Sequence, residues 1–595
     1  MWSKKQEWAG DVEMRDMHQT IVGHVLARAS EHPERPVVWT KNDGQFWKRS
    51  WGELADDVRR VAACLARRLT WGDRVATLGE NRYEWLVCDL ALQLAGAVHV
   101  PLHSTLAPAQ VAFQLRHSGA RLLFVSNVEQ AEKVAQIADL LPRDFPCYSW
   151  SPCPDAQGRN RLPLWTTLLQ GLSPGDIARM ERRAQEQLDA HTLVTILYTS
   201  GTEREPKGVV LNHGNLVFNV LAATEAMGPD PTHVRLCLLP FSHIYARSCD
   251  LYTSFLGGSQ LVIASGRETA LADCQEMRPT VFNAVPLFYE RLQRALLATG
   301  RAAEPNALQA FLGGRIRLLC CGGATLPDDV FDFFEQCGLP ILQGYGLTEC
   351  SPVITVSTPT RYRRGSVGPV IPHIEVRISD DGEILTRGPH VMVGYHDDRQ
   401  ATEQTIRDGW LHTGDLGWFD QDQFLYLTGR KKEIYVTSGG KNVTPATLEQ
   451  LLTAAPFIDQ AVVFGEGRDY LTALIVPDIS AVEQFWRTRR VGGGSQPVAA
   501  ELRVEASASP RGADDHQTLP EFEVWSHDPE LLALFDQQIQ SCLSGVSAHE
   551  QVKRFHLLAQ PFTTEAGELT PKLTPRRAVI AERYAPLLEA LYNPT

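Results

Sequence analysis

Hydrophobic and polar positions alternate with two different periods along the first 350 residues. In residues 51–67 the apolar positions recur at helical spacing (Leu54, Val58, Val61, Ala62 and Leu65), and residues 73–78 then predict a strand. The apolar stretch 85–102 is interrupted by Asp89 and His99, which predicts a buried helix and strand instead of a membrane span. Because such patterns keep alternating, we predict stacked α/β subdomains built on mostly parallel sheets.

The pattern changes in the second half of the chain. From 367 to about 428, short apolar runs alternate with Gly, Asp and Pro, which predicts a small β-rich subdomain. Residues 491–523 have few large apolar side chains and predict a flexible insertion, followed by a helix that Asp528 caps and Pro529 begins. With 595 residues, the chain exceeds what one hydrophobic core holds, so we expect at least two domains.

The segment 198–208, YTSGTEREPKG, lies between apolar runs at 193–197 and 209–211 that predict two strands. It therefore has the character of a hairpin tip, unlike the strand-to-helix loop of a Walker nucleotide site. Glycines let the backbone approach an anion, hydroxyls donate hydrogen bonds and a lysine adds positive charge, although an ordinary polar hairpin loop has a similar composition. The groups concerned are Thr199, Ser200, Gly201, Thr202, Lys207 and Gly208.

Residues 343–349, QGYGLTE, add groups that suit a nucleotide. They follow a predicted strand at 338–342, and we expect them to form one turn that contains Gly344 and Gly346. Tyr345 can stack on a base, Thr348 can bind a phosphate and Glu349 can share a magnesium ion with it.

Two later segments complete the set. Asp415 lies in DGWLHTGDLGWF (408–419), where a tight Thr-Gly-Asp turn would let its carboxylate accept hydrogen bonds from two ribose hydroxyls. Residues 427–445, LTGRKKEIYVTSGGKNVTP, combine a cationic turn with a second glycine-rich loop.

In this order and at these spacings, the segments resemble the adenylate-forming superfamily of acyl-CoA synthetases, luciferases and peptide-synthetase adenylation domains. The resemblance covers nearly the whole chain and is greatest to the long-chain fatty acyl-CoA synthetases. Four segments carry that similarity: LPFSHIYAR (239–247), PTVFNAVPLFYERL (279–292), QGYGLTECSPVIT (343–355) and SGGKNVTP (438–445).

The resemblance implies a fold and a division into domains. A large N-terminal lobe (1–429) of stacked α/β subdomains, closed by the β-rich subdomain, would bind ATP and the acyl group. A hinge at 430–432, with Lys432 as its pivot, would join it to a smaller, mobile α+β C-terminal domain (433–595). The glycines around the hinge suit a segment that must change its backbone angles.

The resemblance also implies roles for individual residues. The 199–202 segment and Lys207 would hold the phosphates of ATP, Thr199 and Glu349 would bind Mg²⁺, and Asp415 with Arg430 would fix the ribose. The adenine would lie beside Gly322, Gly323 and Ala324 and stack on Tyr345. The acyl and CoA channels would be lined by His243, Gly439, Gly440 and Lys441.

The implied reaction joins a fatty acid to CoA in two steps through acyl-AMP, and the first step needs cations around the transferring phosphoryl group. Lys207 and Arg430 would supply two of them. In the family a further lysine lies near the C-terminus, but in GELTPKLTPRRAVI (567–580) its usual position holds Thr574. We assign this catalytic role to Lys572, two residues earlier; its alternative is a solvated surface lysine.

The phosphate loop departs from the family pattern at Glu203 and Arg204. Arg204 could contact a phosphate or pair with Glu203 or Glu205, and we favour its exposure to solvent. The net charge of −13, without a concentrated basic stripe, argues against a nucleic-acid partner. None of the 12 cysteines forms a CxxC pair, as is typical of reduced thiols in a cytoplasmic protein. The N-terminus lacks the apolar core of a secretory signal. Peripheral contact with the inner face of a membrane is left open, as is the oligomeric state.

We therefore predict an AMP-forming long-chain fatty acid:CoA ligase that uses ATP, Mg²⁺ and CoA. One alternative is a fatty acyl-AMP ligase or acyl-carrier-protein synthetase, which would hand the acyl group to a protein thiol. The other, suggested by Thr574 and Arg204, is a non-catalytic regulator that binds nucleotide or acyl ligand. The acyl chain length does not follow from the sequence, because tunnel depth is a three-dimensional property.

Overall fold

The computed structural model describes residues 17–154, 158, 160–199, 206–266, 268–483, 528–563, 566–570 and 574–593. The chain divides into two compact units. The first extends to Ser379 and includes Ile384–Thr413 and Phe419–Tyr426; the second comprises Asp380–Glu383, Gly414–Trp418 and the chain from Leu427 onward. Among the described helices, none is both long and apolar enough to cross a bilayer. The predicted insertion at 491–523 lies outside the described residues.

The strands up to residue 356 are β1 (Pro36–Asn42), β2 (Gln45–Ser50), β3 (Arg74–Leu78), β4 (Val98–Leu102), β5 (Leu122–Val125), β6 (Cys147–Ser149), β7 (Leu193–Thr199), β8 (Lys207–Asn212), β9 (Val234–Cys237), β10 (Gln260–Ile263), β11 (Val281–Ala284), β12 (Leu318–Cys321), β13 (Ile341–Gly346) and β14 (Val353–Val356). The later strands are β15 (Glu375–Ile378), β16 (Glu383–Arg387), β17 (Gly394–Tyr395), β18 (Ile406–Arg407), β19 (Trp410–Phe419), β20 (Leu425–Arg430), β21 (Tyr435–Val436), β22 (Asn442–Val443), β23 (Ile458–Phe464), β24 (Leu471–Pro477) and β25 (Val552–Leu557).

The helices are α1 (Ile21–Glu31), α2 (Trp51–Ala66), α3 (Tyr83–Leu94), α4 (Pro108–Ser118), α5 (Val128–Gln136), α6 (Pro174–Gln187), α7 (His213–Met227), α8 (Ile244–Ala246), α9 (Thr253–Gly257), α10 (Ala270–Met277), α11 (Pro286–Ala298), α12 (Ala307–Phe311), α13 (Asp328–Gln336), α14 (Arg399–Thr405), α15 (Pro445–Thr453), α16 (Pro529–Cys542), α17 (Arg577–Arg583) and α18 (Ala585–Tyr592). A π-helical turn, Arg247–Tyr252, joins α8 to α9.

Two mostly parallel sheets form the first unit, as predicted. An eight-stranded sheet has the order β14-β13-β12-β11-β9-β10-β1-β2, with antiparallel strands only at its two edges. A seven-stranded sheet has the order β17-β8-β7-β4-β3-β5-β6, and its β7–β8 and β8–β17 pairs are antiparallel. Helices cover these sheets with apolar side chains, for example α11 and α13, which bury Tyr289 and Phe334 against Phe282. The fold class is therefore confirmed.

Local sequence signals explain several elements. The α2 helix begins where Ser50 and Glu53 form a reciprocal capping box, and its apolar stripe is buried, as the spacing predicts. The stretch 85–102 forms most of α3 and all of β4, and its two polar interruptions are buried together, with Asp89 Oδ1 2.7 Å from His99 Nδ1. The contact between Asp89 and His99 explains how an apolar segment accommodates two ionisable groups, because each buried polar side chain has a partner.

Two local expectations were wrong. Gln343–Gly346 does not form a turn, because β13 continues through it and pairs with β14 at Gly344, Tyr345 and Gly346. Asp415 likewise lies inside the ten-residue strand β19 and not in a tight turn, although Gly414 has a left-handed φ of 72°. In both cases hydrogen bonds to another part of the chain extend the strand past residues that favour turns.

A five-stranded sheet follows, with the order β15-β16-β19-β18 and with β20 paired to β19. The chain passes between the two units within β16, β19 and β20. The second unit has its own three-stranded sheet, β23-β24-β25. One of its faces packs on α15 and α16, the other on α17 and α18. Asp528 accepts from the amides of Glu530 and Leu531 at the start of α16, as predicted.

Candidate active site

The predicted phosphate loop lies at the end of a hairpin, as expected. Strands β7 and β8 pair antiparallel, and their last pair is Thr199 with Lys207. Thr199 and Lys207 therefore mark the two sides of the loop mouth. The loop residues themselves, Ser200, Gly201, Thr202, Glu203 and Arg204, lie outside the described residues.

Tyr395 connects Lys207 to Glu349. The Lys207 ammonium nitrogen lies 5.2 Å from the centroid of the Tyr395 ring, and the Tyr395 hydroxyl donates a 2.9 Å hydrogen bond to Glu349 Oε1. Burial, followed by the charge of Glu349, raises the pKa of Tyr395, so the phenol stays protonated and acts as a donor. Sequence reasoning missed Tyr395 because nothing local distinguishes it.

The predicted adenine segments meet at one edge of the eight-stranded sheet. Since β12 and β13 are parallel and pair Cys321 with Gln343, Gly322 and Gly344 follow side by side. A Cβ atom at Gly322 would lie 3.4 Å from the Gly344 carbonyl oxygen and 3.3 Å from Cζ of Tyr245. Gly323 has a left-handed φ of 87°, and Gly323 and Ala324 are exposed, whereas Tyr345 is buried. Gly323 and Ala324 thus expose backbone that carries little side chain, which suits the close approach of a planar base.

A short 3₁₀ turn holds the predicted metal-binding segment. Thr348 and Glu349 lie in the turn Thr348–Cys350, directly after β13. Gly346 precedes it at a point of close approach, where any Cβ atom would overlap the carbonyl oxygen of Pro352. Glycine is therefore required here by packing, and the turn that carries Glu349 depends on it.

His243 caps a helix. Its Nδ1 accepts a 3.1 Å hydrogen bond from the amide of Tyr245 at the start of α8, and its ring centroid lies 6.2 Å from that of His103. Because Nδ1 is an acceptor, this nitrogen carries no proton. The side chain is partly exposed, so a structural role as helix cap coexists with the predicted position beside a channel.

The two predicted ribose-binding residues lie in the second unit and contact each other. Asp415 Oδ1 lies 2.8 Å from Arg430 Nε; the Asp415 side chain is buried, whereas about half of the Arg430 side chain is exposed. Nearby, Glu383 accepts from the amide of Gly414 at 2.9 Å and also pairs with Lys431. Glu383 thus links the backbone beside Asp415 to the residue that follows Arg430.

The predicted hinge and CoA loop are adjacent in the second unit. Lys432 lies in the 3₁₀ turn Lys431–Glu433. Strands β21 and β22 then pair as a hairpin whose exposed loop contains Gly439, Gly440 and Lys441. The loop is closed by a 2.9 Å hydrogen bond from the Thr437 amide to the Lys441 carbonyl oxygen.

Lys572, the predicted catalytic lysine, lies outside the described residues. The residues on either side of it are held together: the Thr570 amide donates to the Thr574 carbonyl oxygen at 2.9 Å, and the Thr574 amide donates to the Thr570 hydroxyl at 3.2 Å. Thr574 is therefore bound to Thr570 by two hydrogen bonds.

A largely buried ion cluster, which no sequence motif indicated, anchors α17. Arg577 of α17 lies against Glu449 of α15, with Nε 3.2 Å from Oε1. A second guanidinium nitrogen of Arg577 lies 3.8 Å from Oε2 of Glu433, which is in the predicted hinge turn. The amide of Val463 donates to Glu449 at 2.8 Å. Arg577 thus links the hinge turn to the segment that follows Lys572. Its partners are 128 and 144 positions away, so no local sequence signal indicates them.

Comparison with known proteins agrees with this geometry. The sequence model of the AMP-binding enzyme family matches residues 25–396, and that of the AMP-binding enzyme C-terminal domain matches residues 432–489. The chain belongs to the AMP-binding enzyme family. The chain is also 32% identical to the long-chain-fatty-acid–CoA ligase FadD15 of Mycobacterium bovis, over 97% of each chain.

Solved structures show the same fold. An anthranilate CoA ligase, AuaEII, in complex with anthranoyl-AMP matches 96% of this chain and 98% of its own, with a TM-score of 0.72 and 18% identity. An O-succinylbenzoate CoA synthetase of Bacillus subtilis, in complex with ATP and magnesium, matches 90% of this chain and 96% of its own, with a TM-score of 0.66 and 23% identity. This AMP-binding enzyme therefore has the adenylate-forming fold along nearly its full length.

Proposed function

We propose that this AMP-binding enzyme is an AMP-forming long-chain fatty acid:CoA ligase that uses ATP, Mg²⁺ and CoA. The observation that carries the proposal is the 32% identity to a long-chain-fatty-acid–CoA ligase over 97% of both chains. The grouping of Lys207, Tyr395 and Glu349 at the mouth of a hydroxyl-rich hairpin supports it, because these groups suit the phosphates of ATP.

In the first step, a carboxylate oxygen of the fatty acid bonds to the α-phosphorus of ATP while the bond to pyrophosphate breaks. Lys207, Arg430 and Lys572 offset the negative charge that accumulates there. The 199–202 segment holds the phosphates, and Asp415 with Arg430 holds the ribose. Adenine lies beside Gly322–Ala324 against Tyr345.

The oxygen donors fit a magnesium ion. Thr199 offers a hydroxyl. Glu349, on a short turn, offers a carboxylate whose Oε1 accepts a hydrogen bond from the Tyr395 hydroxyl. Mg²⁺ prefers such hard oxygen ligands together with phosphate oxygens. When bound, it would neutralise phosphate charge and align the groups that react.

In the second step, the CoA thiol sulfur bonds to the acyl carbonyl carbon, and the bond to AMP breaks. The exposed hairpin loop of Gly439, Gly440 and Lys441 lines the entry of the pantetheine arm, and His243 lies beside the acyl and CoA channels. Lys432 is the pivot about which the C-terminal domain, from residue 433 onward, turns between the two steps.

The substrate bears on location as well. Long-chain fatty acids partition into bilayers, so an enzyme that uses them gains from peripheral contact with the inner face of a membrane. None of the twelve cysteines forms a disulfide, which favours a reducing, cytoplasmic environment. We therefore infer a cytoplasmic protein that binds reversibly to the membrane surface. Cosedimentation with vesicles, with and without oleate, tests the contact.

The function is tested by pyrophosphate release from Mg·ATP with saturated acids from acetate to stearate, with and without CoA, while AMP and thioester are followed in parallel. The proposal predicts turnover that needs a long acid and CoA. Acyl-AMP without a CoA thioester would instead indicate a carrier-protein acceptor. No acid-dependent pyrophosphate would indicate a non-catalytic binder.

A further inference from the structure

Tyr395 is held rigidly where it meets the predicted phosphate and metal groups. The short strand β17 adds to the edge of β8, pairing Tyr395 with Val209 two residues beyond Lys207. The Tyr395 amide donates to the Thr402 hydroxyl at 2.9 Å. At the preceding Gly394, a Cβ atom would lie 2.9 Å from Cγ2 of Thr402, so packing excludes a side chain there. These contacts hold the backbone that carries the Tyr395 side chain.

The same segment also holds the backbone of the turn that carries Glu349. The Met392 amide donates a 2.8 Å hydrogen bond to the Glu349 carbonyl oxygen, and the Val393 amide donates to Val210 of β8 at 3.0 Å. Glu349 is thus tied to this segment through both its main chain and its carboxylate. The segment 392–395 joins the phosphate hairpin to the 3₁₀ turn.

We propose that Tyr395 is a positioning residue for adenylation: its ring places the Lys207 ammonium and its hydroxyl orients the Glu349 carboxylate, so that one side chain sets the lysine and the metal ligand together. This inference rests on the proposed function, because it takes ATP and Mg²⁺ as the ligands. Tyr395 contacts Glu349 Oε1, so Oε2 is the oxygen that would bind the metal. Hydrogen-bonded partners of a ligating carboxylate commonly change metal affinity about 10- to 100-fold when removed.

Two substitutions distinguish the contact of Tyr395 with Lys207 from its hydrogen bond to Glu349. Tyr395→Phe keeps the ring beneath Lys207 and removes only the hydrogen bond to Glu349. Tyr395→Leu removes both contacts. The matched control is Tyr83→Phe, because the Tyr83 hydroxyl also donates to a carboxylate, Asp57, at 2.8 Å and is unrelated to the site.

The experiment measures ATP binding to the full chain by calorimetry without fatty acid, so that no turnover occurs, in Mg²⁺ and in EDTA. Tyr395→Phe should lower ATP affinity about 10-fold in Mg²⁺ and leave it unchanged in EDTA. Tyr395→Leu should lower it in EDTA as well, by about 3- to 10-fold, because Lys207 loses the ring. Tyr83→Phe should match the wild type in both conditions.

Equal losses in Mg²⁺ and EDTA for Tyr395→Phe would overturn the inference and indicate a purely structural tyrosine. Unchanged binding in Mg²⁺ would overturn it too. The Glu349→Gln variant separates this role from a folding defect. If Tyr395 acts through Glu349, adding Tyr395→Phe to Glu349→Gln should cause no further change in the Mg²⁺ dependence of ATP binding. Failure of the wild type itself to bind ATP would overturn the proposed function and the inference with it.

Discussion

Replacing Arg577 with methionine should destabilise the second unit strongly. The substitution keeps the length of the side chain but removes the guanidinium from Glu449, whose side chain is only 10% exposed, and from Glu433, whose side chain is 16% exposed. Breaking a buried ion pair from one side costs about 3–5 kcal/mol, since the remaining charge is left without its partner. Glu449 keeps the hydrogen bond from the Val463 amide, so we expect the low end, about 3 kcal/mol at pH 7.

The penalty should depend on pH with a defined sign. Burial already raises the pKa of Glu449, and the Arg577 charge opposes this rise. Without Arg577 the folded-state pKa rises further, so the folded variant holds a proton that the unfolded chain has lost. The destabilisation should therefore grow as the pH rises above the unfolded-state value, by at most about 1.4 kcal/mol per pH unit, and should shrink towards pH 5.

Native-state hydrogen exchange at the β23 amides measures this free energy, because it reports the opening of the second unit by itself. The double variant Arg577→Met with Glu449→Gln should recover to within about 1 kcal/mol of the wild type, since both charges of the closer pair are gone and Glu433 is the more exposed partner. Arg468→Met is the control: it breaks a surface pair with Glu589 and should cost less than about 1 kcal/mol. A penalty that is independent of pH, or a double variant no better than the single one, would refute the reasoning.

Three further predictions concern catalysis and acid stability. Lys572→Ala should slow acyl-AMP formation about 100-fold, measured as single-turnover pyrophosphate release, while thioester formation from supplied acyl-AMP persists; an unchanged first step would contradict the assignment. Asp415→Asn should lower kcat/KM for ATP about 10- to 100-fold, because the charged acceptor for the ribose hydroxyls is lost; steady-state assays with varied ATP check this, and an unchanged value would exclude the ribose role. Burial lowers the pKa of His99 to about 4 and those of His213 and His390 to about 3. As the pH falls below 6.5, these imidazoles therefore become protonated in the unfolded chain but stay neutral in the folded protein. Each of the three histidines should lower the free energy of unfolding by about 2 kcal/mol at pH 5. The melting temperature should therefore be lower at pH 5 than at pH 7.5, and an unchanged or higher melting temperature would contradict this prediction.

Sequence signals predicted the elements that depend on local pattern. The α2 helix, the β7–β8 hairpin and the capping role of Asp528 follow from periodicity, strand propensity and turn chemistry, each of which acts over a few residues. The resemblance placed Asp415 and Arg430 at one nucleotide group, and the structure brings them into contact.

The errors and omissions share a physical cause. The sequence gives no sign that β14 would pair with Gly344–Gly346, so turn-favouring residues predicted a turn where tertiary hydrogen bonds extend a strand. Tyr395 and Arg577 were missed because their importance comes from partners 46 and 128 or more positions away. Neither contact leaves a local pattern in composition or spacing.

The central claim, that a fatty acid is activated as acyl-AMP, is tested most directly by following its oxygen. With palmitate labelled with ¹⁸O in both carboxylate oxygens, plus Mg·ATP and CoA, mass spectrometry of the products should find one ¹⁸O in AMP, one in the acyl thioester and none in pyrophosphate. Attack of the carboxylate on the α-phosphorus requires this pattern, because the bridging oxygen leaves with AMP. Unlabelled AMP, or label in pyrophosphate, would contradict the account.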